Sequence, residues 1–323
     1  HIGYAQPSVW FEAHIETPQY ENYGYHLAGI PFPLLAHNRK MAYGLTMFEN
    51  DDIDFYQTKS HITDTNTYLY KGEWLPLQIQ EKQIKVKDAH PVTFQVKSSL
   101  HGPLMNDVID GVALDKPLSM SWVYTQRPNK VLNALYSISH AADKDSFKAA
   151  LPNIHAPGLN VMYGDREGNI AWWATAALYE LPSGTSSKFI LDGSTAAQEK
   201  IRFTDFSENP MSENPSWNYV YSANNAPLFP SGETYPGYYL PENRAKRIVT
   251  LLDPKDDWDK SSVSNMILDH TSSVNPEIIA DFNRALKEDS SFFASLGEDE
   301  QWAYNDLQSW EGDYPEATTA AAL

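Results

Sequence analysis

The segment "LNVMYGDREGNIAWWATA", residues 159–176, consists of two apolar runs separated by a short polar turn. The turn, residues 165–169, reads Asp-Arg-Glu-Gly-Asn, and Asp, Gly and Asn are residue types that favour tight turns. The flanking runs are rich in aromatic and aliphatic residues, as buried strands are. The segment therefore predicts an antiparallel hairpin in which both strands are buried.

The residues before this hairpin predict more strands than helices. Strand-like runs cover 8–15, 25–30, 42–48 and 53–57, hairpins are indicated at 68–77 around Gly72 and at 83–97, and helical spacing covers 131–142 and 145–151. Residues 181–235 are rich in Pro, Ser, Gly and Asn and predict long loops, and helical patterns follow residue 240. Strands first and helices later favour a layered α+β fold over a doubly wound sheet.

The composition excludes several classes of site. The chain has 323 residues, of which 42% are hydrophobic, and its formal net charge is -18. That charge would be repelled by nucleic acid or an anionic membrane, so neither is expected as a partner. There is no cysteine, which excludes disulfides, zinc-thiolate sites and a cysteine nucleophile. No apolar run approaches the roughly 18 residues of a membrane span.

Both ends of the sequence predict that it belongs to a longer chain. It begins at His1, without Met, in a run that resembles a strand, and it ends in "EATTAAAL" without a helix stop signal. We therefore expect residues 1–323 to be a single truncated domain, β-rich over 1–235 and helical over 240–323. A mature protein after processing is the alternative.

The segment "MFENDDIDFY", residues 47–56, places four acidic side chains within six positions. Clustered carboxylates near a strand end favour a hard cation such as Ca²⁺, which also takes backbone carbonyls. Asp51 and Asp54 would be ligands, with the carbonyl of Ile53 between them. A solvated acidic turn is one alternative. Another is a glycosidase or carbohydrate-binding module, with Asp51 and Asp54 as its carboxylate pair and a sugar over Trp172 or Trp173.

Several separated stretches resemble the β-subunit of the penicillin acylase (penicillin amidase) family, within the N-terminal-nucleophile hydrolases. They are "HIGY", "GIPFPLLAHNRKMAYGLTMFENDDIDFY", "LHGPL", "NVMYGDREGNIAWWATA", "YVYSANNAP" and "RAKRI". They occur in the order and spacing of the family over essentially the whole chain. The resemblance implies a four-layer αββα sandwich with two antiparallel sheets between helical layers.

The resemblance also implies a chemistry, the hydrolysis of amides such as penicillins. The family nucleophile is a Ser, or another hydroxyl or thiol residue, that lies upstream of the position matching His1 and is freed by autoproteolysis. Its own α-amino group serves as the base, which suits an ordinary pKa of about 8. An α-subunit from the same precursor is the implied partner, and the implied location is the periplasm or the cell exterior. This sequence alone is expected to be inactive, since it lacks the nucleophile.

Four catalytic positions carry over from the family. His1 matches a residue beside the nucleophile that helps to hold its amine. Met47 matches the residue whose backbone N–H points into the oxyanion hole, and Asn224 matches the Asn whose amide is the second donor. Arg244 matches an Arg that orients that Asn and the amine. Without the resemblance, Asn224 reads as a turn residue and Arg244 as a solvated residue in the first turn of a helix.

The calcium ligands carried over from the family are Asp51, the carbonyl of Ile53 and Asp54, with Glu233 as a looser match. A further ligand would come from the α-subunit. The tight turn after Met47 would then be held by the ion.

The acyl-pocket positions are Ile2, Leu35, Ile138 and Leu159, which are aliphatic where phenylacetyl-specific relatives use more aromatics. A linear or aliphatic acyl group is therefore as plausible as an aromatic one. The choice between penicillins and N-acyl-homoserine lactones stays open. So does a non-catalytic relative that keeps the fold and binds a ligand.

Overall fold

The computed structural model describes residues 5–110, 116–227, 232, 234–288, 290–315 and 319–321. Its strands are β1 (Trp10–Thr17), β2 (Tyr20–Leu27), β3 (Leu35–His37), β4 (Met41–Met47), β5 (Ile53–Gln57), β6 (Thr67–Tyr70), β7 (Glu73–Pro76), β8 (Gln78–Ile84), β9 (Val92–Ser99), β10 (Gly102–Pro103), β11 (Leu118–Trp122), β12 (Leu159–Asp165), β13 (Ile170–Thr175), β14 (Tyr179–Glu180), β15 (Leu191–Asp192), β16 (Arg202–Phe203) and β17 (Met211–Glu213). The helices are α1 (Val123–Gln126), α2 (Val131–Ser139), α3 (Lys144–Ala150), α4 (Asn243–Leu252), α5 (Lys260–Ile267), α6 (Asn275–Glu288), α7 (Ser290–Ser295) and α8 (Glu298–Ser309). Within these ranges, no helix combines the length and the apolar character that a bilayer crossing needs.

The predicted hairpin at residues 159–176 is confirmed and lies inside a seven-stranded sheet. The strand order is β1-β2-β3-β4-β12-β13-β17, and every neighbouring pair is antiparallel. In its turn, Asp165 Oδ1 accepts hydrogen bonds from the backbone N–H groups of Glu167 (3.0 Å) and Asn169 (2.9 Å). Gly168 adopts φ +91°, which other residues rarely reach. The turn chemistry read from the sequence therefore explains the hairpin.

Alternation along β13 buries the sheet on both faces. Trp173, which is 0% exposed, packs into a core that Phe147 of α3 and Ile138 of α2 also enter. Trp172 and Ala174, one residue to either side, pack on the opposite face against Phe48 and its neighbours. Because successive side chains of a strand point to opposite faces, one short segment supplies both cores. Helices α2 and α3 thus cover one face of the sheet.

A smaller sheet carries the acidic segment. Its order is β11-β5-β15, with β11 antiparallel and β15 parallel to β5. The central strand, β5, begins at Ile53 and so contains Asp54, which lies opposite Ser121 of β11. A carboxylate in a central strand has little access to water, and this places Asp54 in the interior.

The chain divides into two compact units. One comprises residues 1–213 and 227–239, and the other comprises residues 214–226 and 240–323. The strands given above lie in the first unit, and helices α4 to α8 lie in the second. The predicted change from strand to helix near residue 240 is therefore confirmed, whereas the single domain stays a prediction.

The α+β class with mainly antiparallel sheets is also confirmed. Some strand boundaries differ from the expectation. The strand expected at 25–30 is Tyr20–Leu27, because it pairs along its whole length with β1. The loop-rich region after residue 181 contains three short strands, β15 to β17.

Candidate active site

Met47 is the last residue of β4, and its backbone is held by the neighbouring strand. It lies opposite Leu159 in the β4–β12 ladder. The next residue, Phe48, donates its N–H to the carbonyl of Gly158 at 3.0 Å. The side-chain amide of Asn160 donates to the Met47 carbonyl at 3.0 Å. The backbone of Met47 is therefore positioned by the sheet, while its side chain is 42% exposed.

Asn160 is a functional candidate that the sequence reasoning missed. Its side chain is 2% exposed, and its Nδ2 also donates to Thr46 Oγ1 at 3.2 Å. Its Oδ1 accepts from Trp172 Nε1 at 3.0 Å. An Asn among the aliphatic residues of a buried strand was the available signal, since a buried amide needs specific partners. Asn160 connects the Trp172 indole to the carbonyl of Met47.

Asn224 occupies a loop position of unusual backbone geometry. Its φ is +61°, a region that Asn tolerates better than most residues. Its carbonyl accepts from the N–H of Leu240 at 2.8 Å, and its N–H donates to Ser222 Oγ at 3.3 Å. The turn reading of Asn224 is therefore correct for its backbone and leaves the role of its side chain open.

The side chain of Asn224 is oriented by Arg244, as the resemblance implied. Arg244 Nη2 donates to Asn224 Oδ1 at 3.1 Å and to the carbonyl of Ala223 at 2.6 Å. A guanidinium only donates hydrogen bonds, so the amide must turn its oxygen towards Arg244. The Nδ2 group of Asn224, which is an N–H₂ donor, therefore points away from Arg244. Arg244 lies in the first turn of α4, as expected. It is not merely a solvated helix residue, because its guanidinium binds Ala223 and Asn224.

The structure places these residues in different units and leaves some of them undescribed. Met47 belongs to the first unit, and Asn224 and Arg244 belong to the second. His1 and Ile2, together with the looser calcium match Glu233, lie outside the described residues.

The acyl-pocket positions that can be described are partly or fully buried. Leu35 lies opposite Tyr25 in the β2–β3 pair and is half-buried. Ile138 is 1% exposed within the main core, and Leu159 packs against the same core. Ile138 and Leu159 therefore belong to the same apolar cluster. Whether they contact an acyl group stays a prediction.

The acidic turn is buried, so the alternative of a solvated turn is wrong for its central residues. Asp51 is 4% exposed and Asp54 is 0% exposed. Asp54 Oδ2 lies 3.0 Å from the ammonium Nζ of Lys200. Asp51 Oδ1 accepts from the N–H of Ile53 at 3.3 Å, and Asp52 Oδ2 accepts from Trp122 Nε1 at 3.3 Å. The Lys200 ammonium thus lies beside Asp54, whose two oxygens accept no hydrogen bond from the described residues, whereas Asp51 and Asp52 each accept one.

The titration of these groups follows from their burial. Burial raises the pKa of Asp51 and the pKa of Asp52, although their hydrogen bonds act in the opposite direction. Burial lowers the pKa of Lys200, while the charge of Asp54 acts to raise it. Burial therefore makes protonation of Asp51 and Asp52 easier than it is in water.

The described side chains do not assemble a metal site by themselves. Over the residues that the structure describes, no group of three or more His, Asp or Glu side chains could hold a metal ion. The nearest positive charge to Asp54 is the Lys200 ammonium. The calcium ligand set of Asp51, Ile53 and Asp54, completed by Glu233 and an α-subunit residue, stays a prediction.

A sugar platform on the tryptophans is also disfavoured. Trp173 is 0% exposed and donates its Nε1 to Glu213 within the core. Trp172 donates to the buried Asn160. A sugar stacks on an exposed ring face, which the fully buried Trp173 does not offer, and Trp172 is only partly exposed.

Comparisons with known proteins agree with the resemblance read from the sequence. A family model described as penicillin amidase matches residues 1–323. An acyl-homoserine lactone acylase of Pseudomonas aeruginosa is 26% identical over 302 residues, which are 88% of this chain and 34% of that protein. Penicillin G acylase of Escherichia coli is 24% identical over 259 residues, which are 79% of this chain and 30% of that protein. The chain spans about a third of the length of these curated relatives.

A solved structure shares the fold. The thermostable penicillin G acylase from Alcaligenes faecalis matches with a TM-score of 0.80 and 18% identity, over 98% of this chain and 56% of that chain. At this identity the likeness concerns the fold alone.

Proposed function

This chain belongs to the penicillin amidase family, and on that premise we propose that the protein hydrolyses an N-acyl amide to a carboxylic acid and an amine. The observation that carries the proposal is the Arg244–Asn224 pair. Arg244 turns the amide oxygen of Asn224 towards itself, so the opposite end of the side chain is the N–H₂ donor. A donor of fixed orientation is what a developing oxyanion requires.

The proposed reaction passes through an acyl-enzyme. The hydroxyl oxygen of an N-terminal Ser, upstream of His1, attacks the amide carbonyl, and its proton moves to the Ser α-amine. The carbonyl oxygen becomes negative and is bound by the Met47 N–H and the Asn224 amide. When the C–N bond breaks, the leaving amine takes the proton. Water then hydrolyses the acyl ester, which releases the acid and regenerates the hydroxyl.

The two proposed donors differ in kind. Any residue except proline supplies a backbone N–H. Met47 is therefore suitable if its backbone is held in place, and the contacts of β4 with β12 hold it. The donor of Asn224 can be replaced only by another side chain with an N–H or O–H donor. Arg244 would act as a positioning residue, and His1 would support the amine of the nucleophile.

Two substrate classes are proposed for the acyl amide. The relatives include acyl-homoserine lactone acylases and penicillin G acylase. The described pocket positions Leu35, Ile138 and Leu159 are aliphatic, which makes a linear acyl chain as plausible as an aromatic one and an N-acyl-homoserine lactone the second candidate beside a penicillin. A hydrophobic pocket discriminates single methylenes by only about 1–3 kcal/mol, so measurement must decide.

We also propose the wider architecture of the family for the whole protein. An α-subunit from the same precursor would complete the acyl pocket, and the complete fold would be the four-layer αββα sandwich with its second helical layer. The match of this chain to 56% of a penicillin G acylase chain supports this proposal. A periplasmic or secreted location is proposed on the family resemblance.

The test is a hydrolysis assay with the full-length, processed protein. The panel contains chromogenic phenylacetyl and hexanoyl amides, a penicillin and N-acyl-homoserine lactones of several chain lengths. We expect turnover of at least one class. Absence of turnover on the whole panel by a correctly processed protein would indicate the non-catalytic relative. The preferred acyl group would decide between an aromatic and a linear substrate.

A further inference from the structure

The acidic turn after β4 has a cation of its own, supplied by a residue far along the chain. We propose that Lys200 is the resident cation of this turn and that the turn keeps its structure without calcium. Lys200 lies in the loop between β15 and β16, and its side chain is only 12% exposed. The proposal concerns the structure of the turn and is independent of the proposed catalytic activity.

The ammonium of Lys200 makes one ion pair and two hydrogen bonds with protein groups. It lies 3.0 Å from Asp54 Oδ2, and it donates to Ser121 Oγ at 2.7 Å and to Gln126 Oε1 at 3.3 Å. It also lies 4.2 Å from the centroid of the Tyr179 ring. An ammonium has three N–H donors, and three oxygens surround this one. Lys200 therefore connects β5, β11, α1 and β14, and its position is specified by each of them.

Asp54 requires a positive charge at this place. A buried carboxylate without a counter-charge is unstable, because it has lost its hydration. Its carboxylate is 0% exposed, and the Lys200 ammonium is close enough to neutralise it. A divalent cation bound to the same carboxylate would come close to that ammonium and would be repelled by it. The geometry therefore makes Lys200 the counter-charge of Asp54.

The backbone of the turn is held without an ion. The N–H of Asp51 donates to the carbonyl of Pro236 at 2.8 Å, and the N–H of Tyr238 donates to the carbonyl of Glu49 at 2.8 Å. Gly237 lies against this turn so closely that a side chain there would meet the Glu49 carbonyl at 2.5 Å. These contacts fasten the two sides of the turn to the segment 236–238, so a metal is not needed to close it.

The test compares melting temperatures of the full-length protein in excess calcium and in a chelator. The wild type should melt at the same temperature in both. Lys200→Met should melt lower by roughly 5 °C or more, since it leaves a buried carboxylate unpaired. Lys82→Met, which removes an exposed lysine of β8, should melt like the wild type.

A double-mutant cycle separates the ion pair from general damage to the core. Lys200→Met and Asp54→Asn should each lower the melting temperature, whereas the combined variant should lose less than the sum of the two, because neither charge is left unpaired. If the calcium-loaded wild type melts several degrees higher than in chelator, calcium is the resident cation and the proposal is wrong. Additive losses in the cycle, or a Lys200→Met variant that melts like Lys82→Met, would also overturn it. Should Lys200→Met fail to fold, the calcium comparison on the wild type still decides.

Discussion

The two proposed oxyanion donors are held in place by different kinds of structure. Met47 ends a strand in the middle of a seven-stranded sheet, where ladder bonds and Asn160 fix its backbone. Asn224 lies in a loop at φ +61°, and one guanidinium orients its amide. The first position should therefore tolerate changes of side chain but not of the sheet around it. The second should tolerate no change of the residue itself.

The largest effect is expected from Asn224→Ala in the processed enzyme. It removes a side-chain donor proposed to bind the oxyanion, so kcat should fall by roughly 10²–10³-fold, or about 3–4 kcal/mol. The measurement is steady-state hydrolysis of the best substrate in the panel.

Asn218→Ala is the matched control for that variant. Asn218 is an exposed Asn with φ +62°, so both substitutions place Ala in a strained backbone region. Both should lose similar stability, but only Asn224→Ala should lose activity. Wild-type kcat in a folded Asn224→Ala enzyme would remove Asn224 from the proposed site.

The next largest effect is expected from Asn160→Ala, which acts on the donor that the sheet holds, Met47. It deletes the donor to the Met47 carbonyl and leaves the Trp172 indole N–H without its acceptor. Stability should fall by about 1–3 kcal/mol, and kcat should fall as well if Asn160 positions Met47. Thermal melting and kcat are measured on the same preparation.

Asn209→Ala is the control that distinguishes a loss of fold stability from a loss of Met47 positioning. Asn209 is 1% exposed and donates to the carbonyls of Ala174 and Ala176 at 3.0 Å each, so its loss should destabilise the sheet to a similar extent. If both variants lose the same fraction of kcat, Asn160 acts only through stability.

A smaller, pH-dependent effect is expected at the edge of the same sheet. Burial acts to raise the pKa of Glu213, but hydrogen bonds from Lys148, Lys144 and Trp173 outweigh it and lower the pKa to about 2. A carboxyl whose pKa is lower in the folded state stabilises the fold above its unfolded pKa, here 4.5, and loses that contribution as the pH falls towards the folded value.

The stability difference between wild type and Glu213→Gln should therefore be constant near neutral pH and shrink between about pH 4.5 and pH 2. Urea unfolding across this range measures it. Glu12→Gln, an exposed residue of β1 at the opposite edge of the sheet, serves as the control and should show no such change. A difference that stays constant down to the acid limit would show that Glu213 is not stabilised by its charge.

The smallest effect is expected from Met47→Ala. The proposed donor is the backbone N–H, which the substitution retains, and the exposed side chain supports little packing. The value of kcat should stay within a few-fold of wild type. A loss as large as that of Asn224→Ala would show that the Met47 side chain itself takes part.

Local patterns were sufficient for much of the fold. The hairpin at 159–176 was predicted with its turn, because Asp165 and Gly168 determine the reversal over a few residues and the strand alternation is visible in the sequence. The hairpin around Gly72 was predicted for the same reason. The register of β1 and β2 was not, since strand pairing depends on the partner strand as well as on local residue types.

Some features of the candidate site were also predictable from the sequence, whereas others were visible only in the structure. The pairing of Arg244 with Asn224 was implied by family resemblance before the structure showed the two side chains in contact. Asn160 was overlooked, although a polar residue in an apolar strand was visible. Its partner, the Met47 carbonyl, lies 113 positions away, and no local pattern identifies such a contact.

The sequence by itself determined the α+β class, the central hairpin, the change to helices near residue 240 and the kind of chemistry to look for. These features depend on residue types within a few positions of one another, or on motifs in a recognisable order. Only the tertiary structure decided what neutralises the acidic turn. The segment "MFENDDIDFY" shows four acids and no cation, and Lys200 in "QEKIRF" has no local feature that marks it. Folding brings the Lys200 ammonium to 3.0 Å from Asp54, because burial of a charged carboxylate is less costly beside a counter-charge, wherever in the chain that charge originates.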